Sequence, residues 1–236
     1  MKFDKNLILF LIFCNVCFTQ NMDIKILHGL RNPELLGDSI KLEKNTFKAF
    51  KKMQKSAKED GVDLKIVSAY RSYERQKLIW NNKFEKYTTE FGLKPKNAID
   101  EIIRFSTIPG TSRHHWGTEI DIIDGKFTKE KDVLIEKKFM EGGIFYKVKK
   151  WLDKNSEKFG FYIAYNNDPQ RKGFEHEPWH YSYYPVSKKF LESFLKSDLK
   201  KIIKNDEIRG SEYFTDDFIK KYIKEYILDI NIILKK

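Results

Sequence analysis

The segment Ser112-Arg113-His114-His115-Trp116-Gly117-Thr118-Glu119-Ile120-Asp121 constrains the fold more than any other, because it sets a histidine and an aspartate seven residues apart around one glycine. In a straight strand, residues seven apart lie on opposite faces, about 23 Å from each other. In a straight helix His114 and Asp121 share a face but differ by about 10 Å in height. Neither element lets the two side chains meet at one point. The chain must bend between them, and Gly117 is the residue free to adopt the backbone conformation such a bend requires. Glu119 to Ile123 has β character. The reading therefore places Asp121 on a central strand, with His114 folded back from the preceding loop.

A second stretch, Glu177-Pro178-Trp179-His180, completes the set. Only five histidines exist, and three of them, His114, His115 and His180, lie in these two segments. Two imidazoles and two carboxylates are what a catalytic zinc site requires: three protein ligands, an open fourth position, and a carboxylate that takes a proton without binding the metal. The assignment is His114, Asp121 and His180 as ligands of one Zn2+ and Glu177 as the base. Spacing alone leaves open a second reading, in which the histidines lie at the surface and a buried aspartate is satisfied by backbone amides.

The rest of the chain is read for how it brings the two stretches together. Residues 43–60 carry Phe47, Phe50, Met53 and Ala57 at near-helical spacing, and Gly61 is a stop signal. Leu64 to Ala69 reads as a strand running through Tyr70-Arg71-Ser72 into a helix from about Tyr73 to Tyr87, so Arg71 sits at a strand-to-helix junction where its side chain can face a cleft. A short helix over 97–105 and a Pro109-Gly110 turn lead to His114. The charged stretch 126–141 is expected as a surface excursion, 146–159 as an amphipathic helix closing at Gly160, and Phe161 to Tyr165 as a strand. Pro178 discourages a helix, whereas Trp179 to Tyr184 favours a strand. Beyond Ser187 the pattern is helical, with Phe218, Tyr222 and Tyr226 four apart. The predicted fold class is α+β: a small antiparallel sheet with helices packed mainly on one side, the metal site at the sheet centre, and a helical C-terminal extension.

Three motifs, Ser68-Ala69-Tyr70-Arg71-Ser72-Tyr73-Glu74-Arg75-Gln76, then Ser112-x-His114-x-x-Gly117-x-x-x-Asp121, then Glu177-Pro178-Trp179-His180-Tyr181, resemble the signature of the VanY-type D-alanyl-D-alanine carboxypeptidases. These belong to a wider group of zinc D,D-peptidases that includes VanX dipeptidases and L-alanyl-D-glutamate endopeptidases. The resemblance spans about residues 40 to 186. It implies an α+β zinc peptidase acting on peptidoglycan stem peptides and gives His114, Asp121, His180 and Glu177 the same roles. It further implies that Arg71 faces the scissile carbonyl or the substrate carboxylate, and that Gln76 and Ser112 support the pocket. Glu119 departs from the pattern, since family members commonly carry a small residue two before the aspartate. An extra carboxylate beside a metal is costly unless it points away, which its even spacing from Asp121 does not secure. Arg113 or a neighbouring lysine is its expected partner. His115, adjacent to a ligand, points elsewhere on an extended chain and reads as a wall or solvated residue. His28 and His176 receive no role, and Trp116 and Trp179 read as packing that excludes water.

Residues 1–20 have the basic start and short apolar run of a secretory signal peptide, too short for a membrane span. The expected organisation is a signal peptide at 1–20, a peptidase domain at 21–186 and the extension at 187–236, in an exported, monomeric protein of the periplasm or cell envelope. Both cysteines, Cys14 and Cys17, fall in the first segment, so the mature domain is expected without a disulfide; lipid anchoring ranks second to simple cleavage. The net charge of +11 is spread as lysines along helical faces without an arginine-rich block, which argues against a nucleic-acid partner. An endopeptidase or dipeptidase with the same chemistry is one alternative, and a non-catalytic zinc-stabilised wall-binding module is another.

Overall fold

A computed structural model describes residues 23–236. The expected signal peptide and both cysteines lie outside the described residues. Helix α1 (Ile24–Leu27) and a hairpin of β1 (Leu35–Leu36) with β2 (Leu42–Glu43) lead into α2 (Lys44–Glu59). The Glu43 carboxylate caps α2 by accepting the Asn45 and Thr46 N–H groups, and the helix buries Phe50, Met53 and Ala57 along one stripe. Strand β3 (Leu64–Ser68) is followed by α3 (Tyr73–Thr89), capped by Ser72, and by α4 (Pro95–Ile103), which opens on a proline whose missing N–H costs nothing at that position. Strand β4 (Glu119–Asp124), helix α5 (Tyr146–Asn155), and strands β5 (Phe161–Ile163) and β6 (His180–Tyr183) come next.

The four longer strands form one antiparallel sheet in the order β3-β4-β6-β5. Side chains alternate across a strand, so β4 presents two chemistries. Ile120 and Ile122 join Leu64, Ile66, Phe161 and Tyr181 in a core with α2 and α5, where each large apolar side chain contributes about 1.5–3 kcal/mol by leaving water. Glu119, Asp121 and Ile123 occupy the opposite face. The β4–β6 register sets Asp121 directly across from His180 and Glu119 across from Ser182, which brings residues distant in sequence to adjacent positions on one face.

The C-terminal part forms α6 (Tyr184–Phe194), α7 (Leu199–Ile203) and α8 (Asp216–Tyr222). Phe190, Phe194, Ile203, Ile219 and Tyr222 from these helices share a second core with Trp80 of α3, Ile102 of α4 and Trp116. The extension therefore does not stand off the domain; it supplies half of one of its cores. The stretch 126–141, expected as a surface excursion, is pinned by the fully buried Phe139, whose ring lies 5.4 Å from that of Trp179. Among the described residues no helix is long and apolar enough to cross a membrane.

Candidate active site

The bend required by sequence is present. Ser112 caps a 3₁₀ turn over Arg113–Trp116, and Gly117 ends it with φ +69°, a left-handed conformation that side chains rarely adopt. A Cβ at Gly117 would also come within 2.9 Å of the Glu43 nitrogen, whose N–H donates to the Gly117 carbonyl at 2.9 Å. The turn is tied on its other side by the Arg71 N–H, which donates to the His114 carbonyl. His114 is thereby folded back over the strand that carries Asp121.

His114, Asp121 and His180 each turn one ligand-type atom to a common point, all within 4.8 Å of one another. The outer nitrogens fix which ring atoms face inward. His114 Nδ1 donates to the Ala69 carbonyl at 2.7 Å, leaving the Nε2 lone pair 3.4 Å from Asp121 Oδ2. His180 Nε2 donates to Glu119 Oε2 at 3.0 Å, which leaves Nδ1 3.3 Å from Asp121 Oδ1. Asp121 Oδ1 is buried with no hydrogen-bond donor of its own. A buried carboxylate oxygen without a donor, facing two imidazole lone pairs, is suited to a cation, and two nitrogens with one oxygen fit zinc. The electrostatics agree. Burial alone would lower the His180 pKa, yet the carboxylates of Asp121, Glu119 and Glu177 raise it well above its ordinary value, so the cluster draws positive charge. Glu177 Oε2 lies 3.2 Å from His180 Nδ1, beside the convergence point.

These residues open into a cavity of about 730 Å³, a size suited to a small peptide. Arg71, Lys83 and Ser112 line it together with Glu177 and Trp179. Arg71 is held by neutral oxygens: Nη1 donates to Gln76 Oε1 at 2.7 Å and Nη2 to Ser68 Oγ at 3.0 Å. Gln76 is fully buried and in turn donates to the Thr107 carbonyl, so it sets the guanidinium from behind and does not line the cavity. The half-buried Lys83 ammonium donates to Ser106 Oγ at 2.8 Å, and burial together with the charge of Arg71 lowers its pKa. Lys83 escaped the sequence reading because nothing in spacing marks it among the many lysines.

Other expectations resolve into geometry. Glu119 does pair with Arg113, at 3.1 Å, but it stays on the face of Asp121 and reaches the far side of His180. His115 points away from the metal position as expected, yet the solvated alternative is wrong. It is fully buried, accepts the Gly110 N–H at Nε2 and donates from Nδ1 to the Arg71 carbonyl at 2.6 Å; burial pushes its pKa down to about 3. His28 is also buried, between the Gly110 carbonyl and Ser197 Oγ. His176 meets Glu136 at 2.6 Å at the cavity rim. Trp116 and Trp179 are both buried.

Two imidazoles and a carboxylate converging beside a second carboxylate, with a guanidinium lining the same cavity, make up the donor set of a mononuclear metal site. The chain belongs to the VanY D-alanyl-D-alanine carboxypeptidase family, whose model matches residues 39–186. In Bacillus subtilis, the protein YodJ, named as a carboxypeptidase, is 31% identical over 177 residues, which is 73% of this chain and 53% of YodJ. A D-alanyl-D-alanine carboxypeptidase of Enterococcus faecalis is 33% identical over 130 residues, 54% of this chain and 42% of the relative. The chain thus spans about half the length of these curated relatives. The solved structure of VanYB in complex with D-alanine-D-alanine aligns with a TM-score of 0.54 at 26% identity, over 71% of this chain and 91% of that one.

Proposed function

We propose that the protein is a zinc-dependent D,D-carboxypeptidase that removes the terminal D-alanine from peptidoglycan stem peptides. The observation that carries this reading is the convergence of His114 Nε2, Asp121 and His180 Nδ1, with Glu177 adjacent and Arg71 facing the same cavity. His114, Asp121 and His180 would hold the zinc ion, which would supply Lewis acidity and make water a stronger acid at the site. Glu177 Oε2 accepts the water proton and delivers it to the leaving amine. Arg71, fixed by Gln76 and Ser68, stabilises charge developing on the scissile carbonyl oxygen. Buried Trp179 and the Tyr165 ring restrict water access, which strengthens each of these interactions.

Choice of substrate follows from charge. Arg71 and Lys83 both face the cavity and donate to neutral oxygens, so a substrate carboxylate gains from both cations. A free chain terminus supplies that carboxylate and an internal bond does not, which favours carboxypeptidase over endopeptidase action. A wall-binding module would need neither Glu177 nor Arg71. Action on the wall places the protein outside the cytoplasm, in keeping with the signal-like residues 1–20, and the reading includes a monomer. Purified muropeptides digested with and without a chelator separate the cases by product mass. Chelator-sensitive loss of one alanine is expected; an internal cut indicates an endopeptidase, cleavage only of free D-alanyl-D-alanine supplied in a parallel digest indicates a dipeptidase, and no cleavage of either substrate indicates a binding module.

A further inference from the structure

We infer that Glu119 is a positioning residue for the metal centre, a buried carboxylate that fixes and strengthens His180 as a ligand while Arg113 cancels its charge. The inference rests on the ligand roles proposed above. Glu119 is fully buried, and both oxygens are engaged. Oε2 accepts His180 Nε2–H at 3.0 Å. Oε1 accepts from Ser182 Oγ at 2.7 Å, from Thr118 Oγ1 at 3.1 Å and from Arg113 Nη2 at 3.1 Å. Arg113 also donates to Ser182 Oγ at 2.7 Å and lies over the Trp116 ring at 4.6 Å.

This network has one open direction. Oε1 is saturated by the scaffold, whereas Oε2 serves the His180 ring alone. By holding the proton on Nε2, it leaves the Nδ1 lone pair facing Asp121 and Glu177, and the negative charge behind the ring raises its strength as a donor. Arg113 Nη2, 3.1 Å from Oε1, sets a guanidinium charge beside the carboxylate inside the same buried network. The site therefore gains an oriented imidazole at little change in net charge. Strand geometry dictates the position: two residues before Asp121 is the same face, and Ser182, opposite Glu119 in register, continues that face past His180. His114 has no such support, since a backbone carbonyl backs it.

The test is zinc affinity of the full chain, measured by competition with a chelator dye. Glu119→Gln is expected to weaken zinc binding roughly 10–100-fold, with KM at saturating zinc unchanged within about twofold. Because Gln leaves Arg113 without its counter-charge, the double variant Arg113→Met with Glu119→Ala serves as the second test; it removes both charges and is expected to lose zinc affinity to the same extent. Folded variants that bind zinc within about twofold of the parent, while His180→Ala loses it, overturn the inference. Should His180→Ala keep parental affinity, the ligand reading itself fails instead. A third measurement needs no variant: nitrogen-15 spectra of the zinc-loaded parent are expected to show His180 as the Nε2–H tautomer, and an Nδ1–H tautomer overturns the inference.

Discussion

The site has two halves built in different ways. Asp121, His180 and Glu119 stand on paired central strands, where the sheet ladder fixes their backbones and the register sets their separation. Arg71, Ser112, His114 and Glu177 come from turns and strand ends, positions that a sheet does not hold. Their rigidity is borrowed. The Arg71 N–H donates to the His114 carbonyl, His115 clamps Gly110 to Arg71, and Tyr222 from α8 accepts the Ile108 N–H. The strand half supplies two of the proposed ligands and their support, and the turn half supplies the third, His114, with the groups proposed to act on the substrate. In this division, damage to the first half, or to His114, is read in metal content, and damage to Arg71 or Glu177 in turnover.

The sharpest break is between His180 and Glu177. His180→Ala is expected to lose both zinc and activity, whereas Glu177→Ala keeps stoichiometric zinc and loses about 10²–10⁴ in kcat; metal analysis beside muropeptide turnover distinguishes them. Full activity in Glu177→Ala would remove it from the mechanism. Arg71→Ala should lower kcat by about 10²–10³ with zinc content unchanged, since one oriented donor to the oxyanion is lost. A zinc loss here would mean that the halves are not separable. The next effect is on stability. His115 is neutral in the fold, with a pKa of about 3 against an unfolded value near 6.5, so the unfolded chain takes the proton first. Its contribution is therefore complete above about pH 6.5 and declines as pH falls toward 3, by about 1.4 kcal/mol per unit. Thermal melts of His115→Asn should show a shallower acid slope than the parent. The smallest effect is expected from Tyr222→Phe, which leaves the buried Ile108 N–H without its acceptor and costs about 1–3 kcal/mol in chemical unfolding while zinc affinity holds.

The proposed ligands were more legible in sequence than the residues that hold and flank them. Zinc bond lengths excluded any straight element between His114 and Asp121, so the bend at Gly117 followed from spacing alone. The preference of Trp179 to Tyr184 for a strand placed His180 in the sheet. What spacing could not supply was register: that Glu119 lies across from Ser182 and behind His180 depends on how two distant strands align. The turn half was legible only through motif resemblance for Gln76 and Ser112, and not at all for Lys83 or Tyr222. The partner hydroxyls of Tyr222 and Thr111 are 111 residues apart, and no local periodicity reports such a pairing. His115 shows the limit within a single residue, since its direction followed from adjacency to His114 but its burial was decided by Gly110 and Arg71.

The Tyr222 contact also bears on the order in which the parts of the site come off the ribosome. Synthesis delivers the whole motif set once His180 has been made, yet the loop ahead of His114 still lacks Ser197, which holds His28, and Tyr222, which holds Ile108 and Thr111. A nascent chain at that stage has its ligands but not the lock on the loop that presents one of them. The helices beyond residue 186 thus complete the packing around a loop whose motif residues all precede them in the chain.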